Sequence, residues 1–180
     1  MPVIPLSEAI SWVKLIIQKE GETADRYSLL GSCYLREEKI EDAQKAFEQA
    51  VKLARKKDVN DSYYLARIYL KQGKAENALK LFDDEKMKQS GLGHLVMAAY
   101  YQAVPGREGK SEADFELALE VAPKNSLAKI EYAQYLLKVG KFKKGLEMLQ
   151  AAEKQEPSFK ADPKVQELKK QLTEAVEKGT

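Results

Sequence analysis

One cysteine, one histidine and one tryptophan are all the chain has of each in 180 residues. The lone thiol, Cys33, rules out an internal disulfide and, with it, the metal motifs that need two cysteines. With one histidine, His94, a Cys–His pair would join residues far apart in sequence, and nothing nearby orients either. An excess of one charge is also missing. Lys+Arg number 30 against 28 Asp+Glu, a net +2, whereas nucleic-acid phosphates demand a basic stripe. Apolar runs are short: Trp12 to Ile17, for one, is interrupted by Lys14 and cannot span a bilayer. The opening Met1–Pro5 lacks the basic start and small-residue cleavage site of a secretory signal. The expectation is a cytoplasmic chain, although one trimmed of a periplasmic signal or a membrane anchor would read the same.

What is present is a repetition. Tyr27, Leu30, Gly31, Tyr34, Ala43, Phe47 and Ala50 keep the same spacing as Leu65, Ala66, Tyr69, Ala78 and Phe82. Tyr132, Ala133, Leu136, Gly145, Leu149, Ala152 and Pro157 keep it again, with Gly145 in place of the alanine. A period of about 34 residues with this order of large and small side chains resembles the tetratricopeptide repeat. The resemblance implies an all-α fold, a right-handed superhelical solenoid of antiparallel helix pairs, and a role in binding proteins rather than transforming small molecules.

On that frame the chain reads as a single repeat domain over 1–180. It has a leading helix at 7–20, repeats at 24–57, 59–90, 92–125 and 126–159, and a capping helix at 162–178. Ser7 is placed to cap the first helix. Ala9, Val13 and Ile16 share the spacing of Ala43, Phe47 and Ala50, so this helix reads as half a repeat. Gly31 predicts a close helix–helix approach, because glycine inside a helix otherwise costs about 1 kcal/mol. Gly73 and Gly140 mark turns. The third repeat departs from the pattern. Pro105–Gly109 lengthens its inner turn, and Ser111 with Asp114 reads as a capping box. Asp83-Asp84-Glu85 stands just upstream, where other repeats keep a small residue, so looser packing or a bend is expected between the second and third repeats. At the far end Asp162-Pro163 reads as an N-cap followed by a first-turn proline. Val165, Leu168, Leu172 and Val176 then form one apolar stripe of a solubilising cap.

In arrays of this kind, the resemblance implies, the first helices of successive repeats line a concave groove. Side chains four apart share a helix face, which gives Ser28, Ser32 and Arg36 from the first repeat and Tyr63, Arg67 and Lys71 from the second. The third contributes Val96, Met97, Tyr100 and Val104, and the fourth Ile130, Glu131, Gln134 and Lys138. Arg36, Lys71 and Lys138 fall near the ends of three first helices. They read either as a basic rail for an acidic or carboxyl-terminated peptide or as cations placed by the negative end of each helix dipole. Arg67, mid-helix, has no dipole explanation. The stretch Leu92 to Val104 is apolar around most of its circumference, which implies burial on most sides. Val96, Met97 and Tyr100 are either core or covered by the long turn or by a partner.

The expected activity is a non-catalytic scaffold or adaptor holding a peptide or protein segment, with no cofactor and no metal. Asp83-Asp84-Glu85 reads as a solvated helix end, and Gly91-Leu92-Gly93 lacks the strand and the GK[ST] of a phosphate loop. Cys33 reads as a small buried filler. Co-chaperones with this repeat clamp an acidic C-terminus with lysine, asparagine and arginine. Here Ser28 and Ser32 stand where lysine and asparagine would be needed, and Tyr64 where asparagine would be. Small secretion-system chaperones with the repeat match in size and in their extra N-terminal helix, but not in charge balance. A different reading is structural self-assembly, a homodimer burying Trp12, Leu15 and Ile16 of the leading helix against a second copy.

Overall fold

The computed structural model describes residues 5–179; the leading Met1–Ile4, most of the segment read above for a secretory signal, lies outside them. Among the described residues there are eleven α-helices, two short 3-10 turns and no strand. The chain divides into two compact units, one ending at Met87 and the other starting at Lys88.

The first unit holds α1 (Leu6–Glu20), α2 (Ala24–Arg36), α3 (Ile40–Leu53), α4 (Val59–Lys71) and α5 (Ala75–Lys80). Thr23 and Asp58 cap α2 and α4 by accepting backbone N–H bonds from the first helical turn. Ser7 does not cap α1. The helix begins one residue earlier, Pro5 takes the cap position, and Ser7 is already helical. Leu30, Tyr34, Ala43, Phe47, Leu65 and Ile68 build the core, and α1 adds Ile10 and Val13 with Ala9 and Ile17 beside them. Ile16 is not part of this stripe; it is exposed. Cys33 is buried in the same core as a free thiol. Gly31 is the point of closest approach, because a β-carbon there would stand 2.9 Å from the Phe47 ring.

The hairpin turns share one geometry. The N–H groups of Lys39, Lys74 and Lys141 donate to the carbonyls of Tyr34, Tyr69 and Leu136 at 2.9, 2.8 and 2.9 Å. Each closes a loop of the Schellman type around a left-handed residue. That residue is Gly73 (φ 73°) and Gly140 (φ 75°) in two turns but Glu38 (φ 60°) in the first. The second repeat's closing helix is cut short, for α5 has 6 residues. A one-turn helix, α6 (Glu85–Lys88), follows, with Asp84 accepting from the N–H groups of Lys86 and Met87. Asp83 pairs instead with Lys57, which holds its carboxyl below the usual range.

The second unit holds α7 (Gly91–Ala103), α8 (Ser111–Val121), α9 (Ser126–Lys138), α10 (Phe142–Gln155) and α11 (Pro163–Glu177). Ser90, Asn125 and Asp162 cap α7, α9 and α11. The capping box expected at Ser111 is absent. The Ser111 hydroxyl is buried and donates to the Ala98 carbonyl on α7 at 3.0 Å, while Asp114 faces His94 at 2.9 Å. Both side chains fasten α8 to α7 rather than satisfying their own helix. Phe115 stacks on Tyr132 and tilts against Tyr135, joining α8 to α9. Ile130, Ala133, Leu149, Ala152, Val165, Leu168 and Leu172 form the core of the last three helices.

Candidate interaction groove

The first helix of each pair starts at Ala24, Val59, Gly91 and Ser126, and α11 occupies the next such place from Pro163. Within the second unit α9 touches both α7 and α11, so three such helices lie side by side.

In the first unit, α2 and α4 are joined by Ser28, whose hydroxyl donates to the Asp61 carboxylate at 2.6 Å. Asp61 is only 4% exposed. Burial pushes its pKa up, Asp58 and Asp25 push the same way, and the Ser28 bond offsets part of the rise. Ser32 and Arg67 are half-buried, and Arg36 and Lys71 are exposed in the last turns of their helices. Tyr63 is buried at 2% exposure and packs edge-on against Tyr64.

In the second unit Val96 and Ile130 are likewise core residues. Met97, Tyr100, Val104 and Glu131 are half-buried; Gln134 and Lys138 are exposed. The long inner turn reaches back over α7, with the Arg107 guanidinium 3.5 Å from the Tyr100 hydroxyl. Lys138 donates to the Gln102 side chain at 3.4 Å, crossing from α9 to α7.

On its other side α9 opens a cleft with α11, about 480 Å³ in volume. Leu137 and Leu168 give it apolar wall; Gln134, Gln171, Lys138, Lys164 and Glu167 give it polar edges. Gln134 and Lys138 are among the residues that the i, i+4 spacing singles out. Lys164, Glu167 and Gln171 are not, because α11 reads in sequence as a cap with one apolar stripe. Of that stripe Val165, Leu168 and Leu172 are buried and Val176 is half-buried; Leu168 also borders the cleft, beside Lys164, Glu167 and Gln171. The available signal was the helix start at Pro163, which repeats the start of α9. Asp61 was missed because it reads as an ordinary first-turn acid.

Among the described residues no group of His, Cys, Asp and Glu could hold a metal ion. No helix there is long and apolar enough to cross a membrane.

The arrangement defines a helical-repeat protein built of antiparallel pairs. Residues 29–90 match the family model for the tetratricopeptide repeat. Its fold is similar to that of MamA, with a TM-score of 0.56 at 14% identity over 85% of this chain and 90% of that one. It is similar to YrrB, described as a TPR protein with an unusual peptide-binding site, at 0.50 and 18% over 89% and 80%. The TPR2AB domain of yeast Sti1, in its pHSP90 complex, aligns at 0.51 and 14% over 93% and 79%. Comparison with curated protein sequences finds no match.

Proposed function

We propose that the chain is a non-catalytic interaction scaffold or adaptor that holds a peptide or protein segment along its first helices. The α9–α11 cleft carries this reading. An extended segment needs apolar contact for alternate side chains and donors and acceptors for its backbone. Leu137 and Leu168 offer the first, and the Gln134 and Gln171 amides offer both kinds of polar group. Two lysines against one glutamate favour an acidic segment. Exposed ion pairs each contribute little, up to about 1 kcal/mol. Affinity therefore comes from apolar burial at about 25 cal/mol per Å², and the lysines select for sign. The names of two fold relatives, a peptide-binding site in one and a complex in the other, support a ligand of this class. The co-chaperone clamp is not part of the proposal, since Ser28, Ser32 and Tyr64 stand where its donors would be needed.

The test is selection of a random peptide library on the immobilised chain, with affinities of the winners measured by fluorescence polarisation. Acidic peptides with an apolar residue should emerge. Lys138→Glu should weaken them at least tenfold while leaving the melting temperature near that of the wild type. Arg67→Glu examines the first unit's face in the same way. Peptides that bind both variants as tightly as the wild type would remove the groove from the account.

A further inference from the structure

Helix α1 has two apolar stripes, and among the described residues only one of them has a partner. Ala9, Ile10, Val13 and Ile17 pack into the first unit's core. On the opposite side Trp12 is 55% exposed, Leu15 37% and Ile16 38%. Single exposed apolar side chains are ordinary. Three within little more than one helical turn, including the chain's one tryptophan, make a patch. A helix apolar on both faces is normally covered on both.

The ends of the patch identify its cover. Glu8, Ser11, Trp12, Leu15, Ile16 and Lys19 are all exposed, and their spacing places them on one face. The stripe thus starts with an acid and finishes with a base. Glu8 accepts from the Trp12 indole at 3.3 Å, and neither Glu8 nor Lys19 takes part in an ion pair among the described residues. Lys14 lies off this face, turned over the Tyr34 ring at 5.5 Å.

A strip with opposite charges at its two ends is complementary to itself turned end for end. We propose that a second copy of the chain packs α1 against α1, antiparallel, with the two-fold axis passing between Val13 and Lys14. In that register Trp12 meets Leu15 of the second copy, Ser11 meets Ile16, and Glu8 meets Lys19 at both ends. A parallel pair would set Glu8 on Glu8 and Lys19 on Lys19. Glu8 and Lys19 are about 16 Å apart along the helix, and a crossing of about 20° keeps both end pairs in reach. One helix face is smaller than the roughly 800 Å² per partner of a standard interface, so the dimer is weak and forms at high protein concentration.

Sedimentation equilibrium on the full chain, up to about 1 mM, where a millimolar contact is half formed, tests this. The average mass should rise from 20.3 kDa towards twice that value. Glu8→Lys alone and Lys19→Glu alone should each weaken association at least tenfold, because like charges then face each other at both ends. An equimolar mixture of the two variants should associate again, since every altered charge meets its opposite. Trp12→Ala should abolish association in all of them. Melting curves of each variant show that it is folded. A wild type that stays monomeric overturns the proposal. So does association that the single charge changes leave intact, or a mixture that fails to recover. Peptide binding at the α9–α11 cleft should be the same in all these variants, so failure here is separable from failure of the groove reading.

Discussion

Phe47 occupies the space where a β-carbon on Gly31 would stand, at 2.9 Å from three atoms of the ring. Phe47 is fully buried, with Tyr64 stacked at 5.5 Å on it, so the ring has no room to withdraw. Gly31→Ala gains about 1 kcal/mol of helix propensity but overpacks the core, which costs about 1–3 kcal/mol. The net effect should be a loss of stability of about 1 kcal/mol, read from urea unfolding. Adding Phe47→Leu should recover part of it. A stabilised Gly31→Ala would mean that α2 and α3 have slack.

The turn at Glu38 should respond in the opposite direction. Its two counterparts hold glycine in the same left-handed conformation, where an L side chain is disfavoured by roughly 1–2 kcal/mol. Glu38→Gly relieves that strain while making the unfolded chain more flexible. A gain of up to about 1 kcal/mol is expected, visible as a higher melting temperature. Gly73→Ala and Gly140→Ala should each lose stability by a similar mechanism.

Two carboxylates should give stability opposite slopes with pH. Asp61 is buried and its pKa is raised, so the folded state holds its proton more tightly than the unfolded one. Its ionisation opposes folding increasingly as pH climbs above the unfolded value of about 3.9. Asp61→Asn should therefore be at least as stable as the wild type at neutral pH, with the advantage vanishing near pH 3. Glu112 is the converse. Hydrogen bonds from Lys141 and Lys144 hold its carboxyl below the usual range, with a further bond from the Tyr132 hydroxyl. It stabilises the fold at neutral pH, and that support is lost as pH falls from about 4.3 through the depressed folded value. Glu112→Gln should lose up to about 1 kcal/mol at pH 7 and differ little from the wild type in strong acid. Denaturant midpoints at both pH values check the two signs.

Much of the fold was legible because it depends on spacing. Leu30, Gly31, Tyr34, Ala43 and Phe47 share their spacing with Leu65, Ala66, Tyr69, Ala78 and Phe82, as stacked helix pairs require, and Gly31 in mid-helix signals the close approach that the Phe47 ring makes. Polar residues were harder. Ser111 and Asp114 have the order of a capping box, yet tertiary partners on α7 claimed both side chains, and sequence order does not show which acceptor a hydroxyl will find. Tyr63, Val96 and Ile130 fall on the expected groove face by their i, i+4 spacing. That spacing gives a side chain's direction but not how deeply its neighbours cover it. Lys164, Glu167 and Gln171 were hidden for a related reason: one apolar stripe on α11 said cap, and nothing in it described the helix's remaining sides.

That double duty of α11 bears on how the protein can be trimmed. Leu172 fills the hollow beside Gly145, 2.9 Å from where a β-carbon there would be, while Lys164, Glu167 and Gln171 form one bank of the cleft. A version shortened before Pro163 would lose that bank and uncover Leu149 and Ala152 in the same cut. Loss of binding by such a fragment would therefore say nothing about the cleft itself. Point changes on the outward turns of α11, at Lys164 or Gln171, separate recognition from folding where deletion cannot.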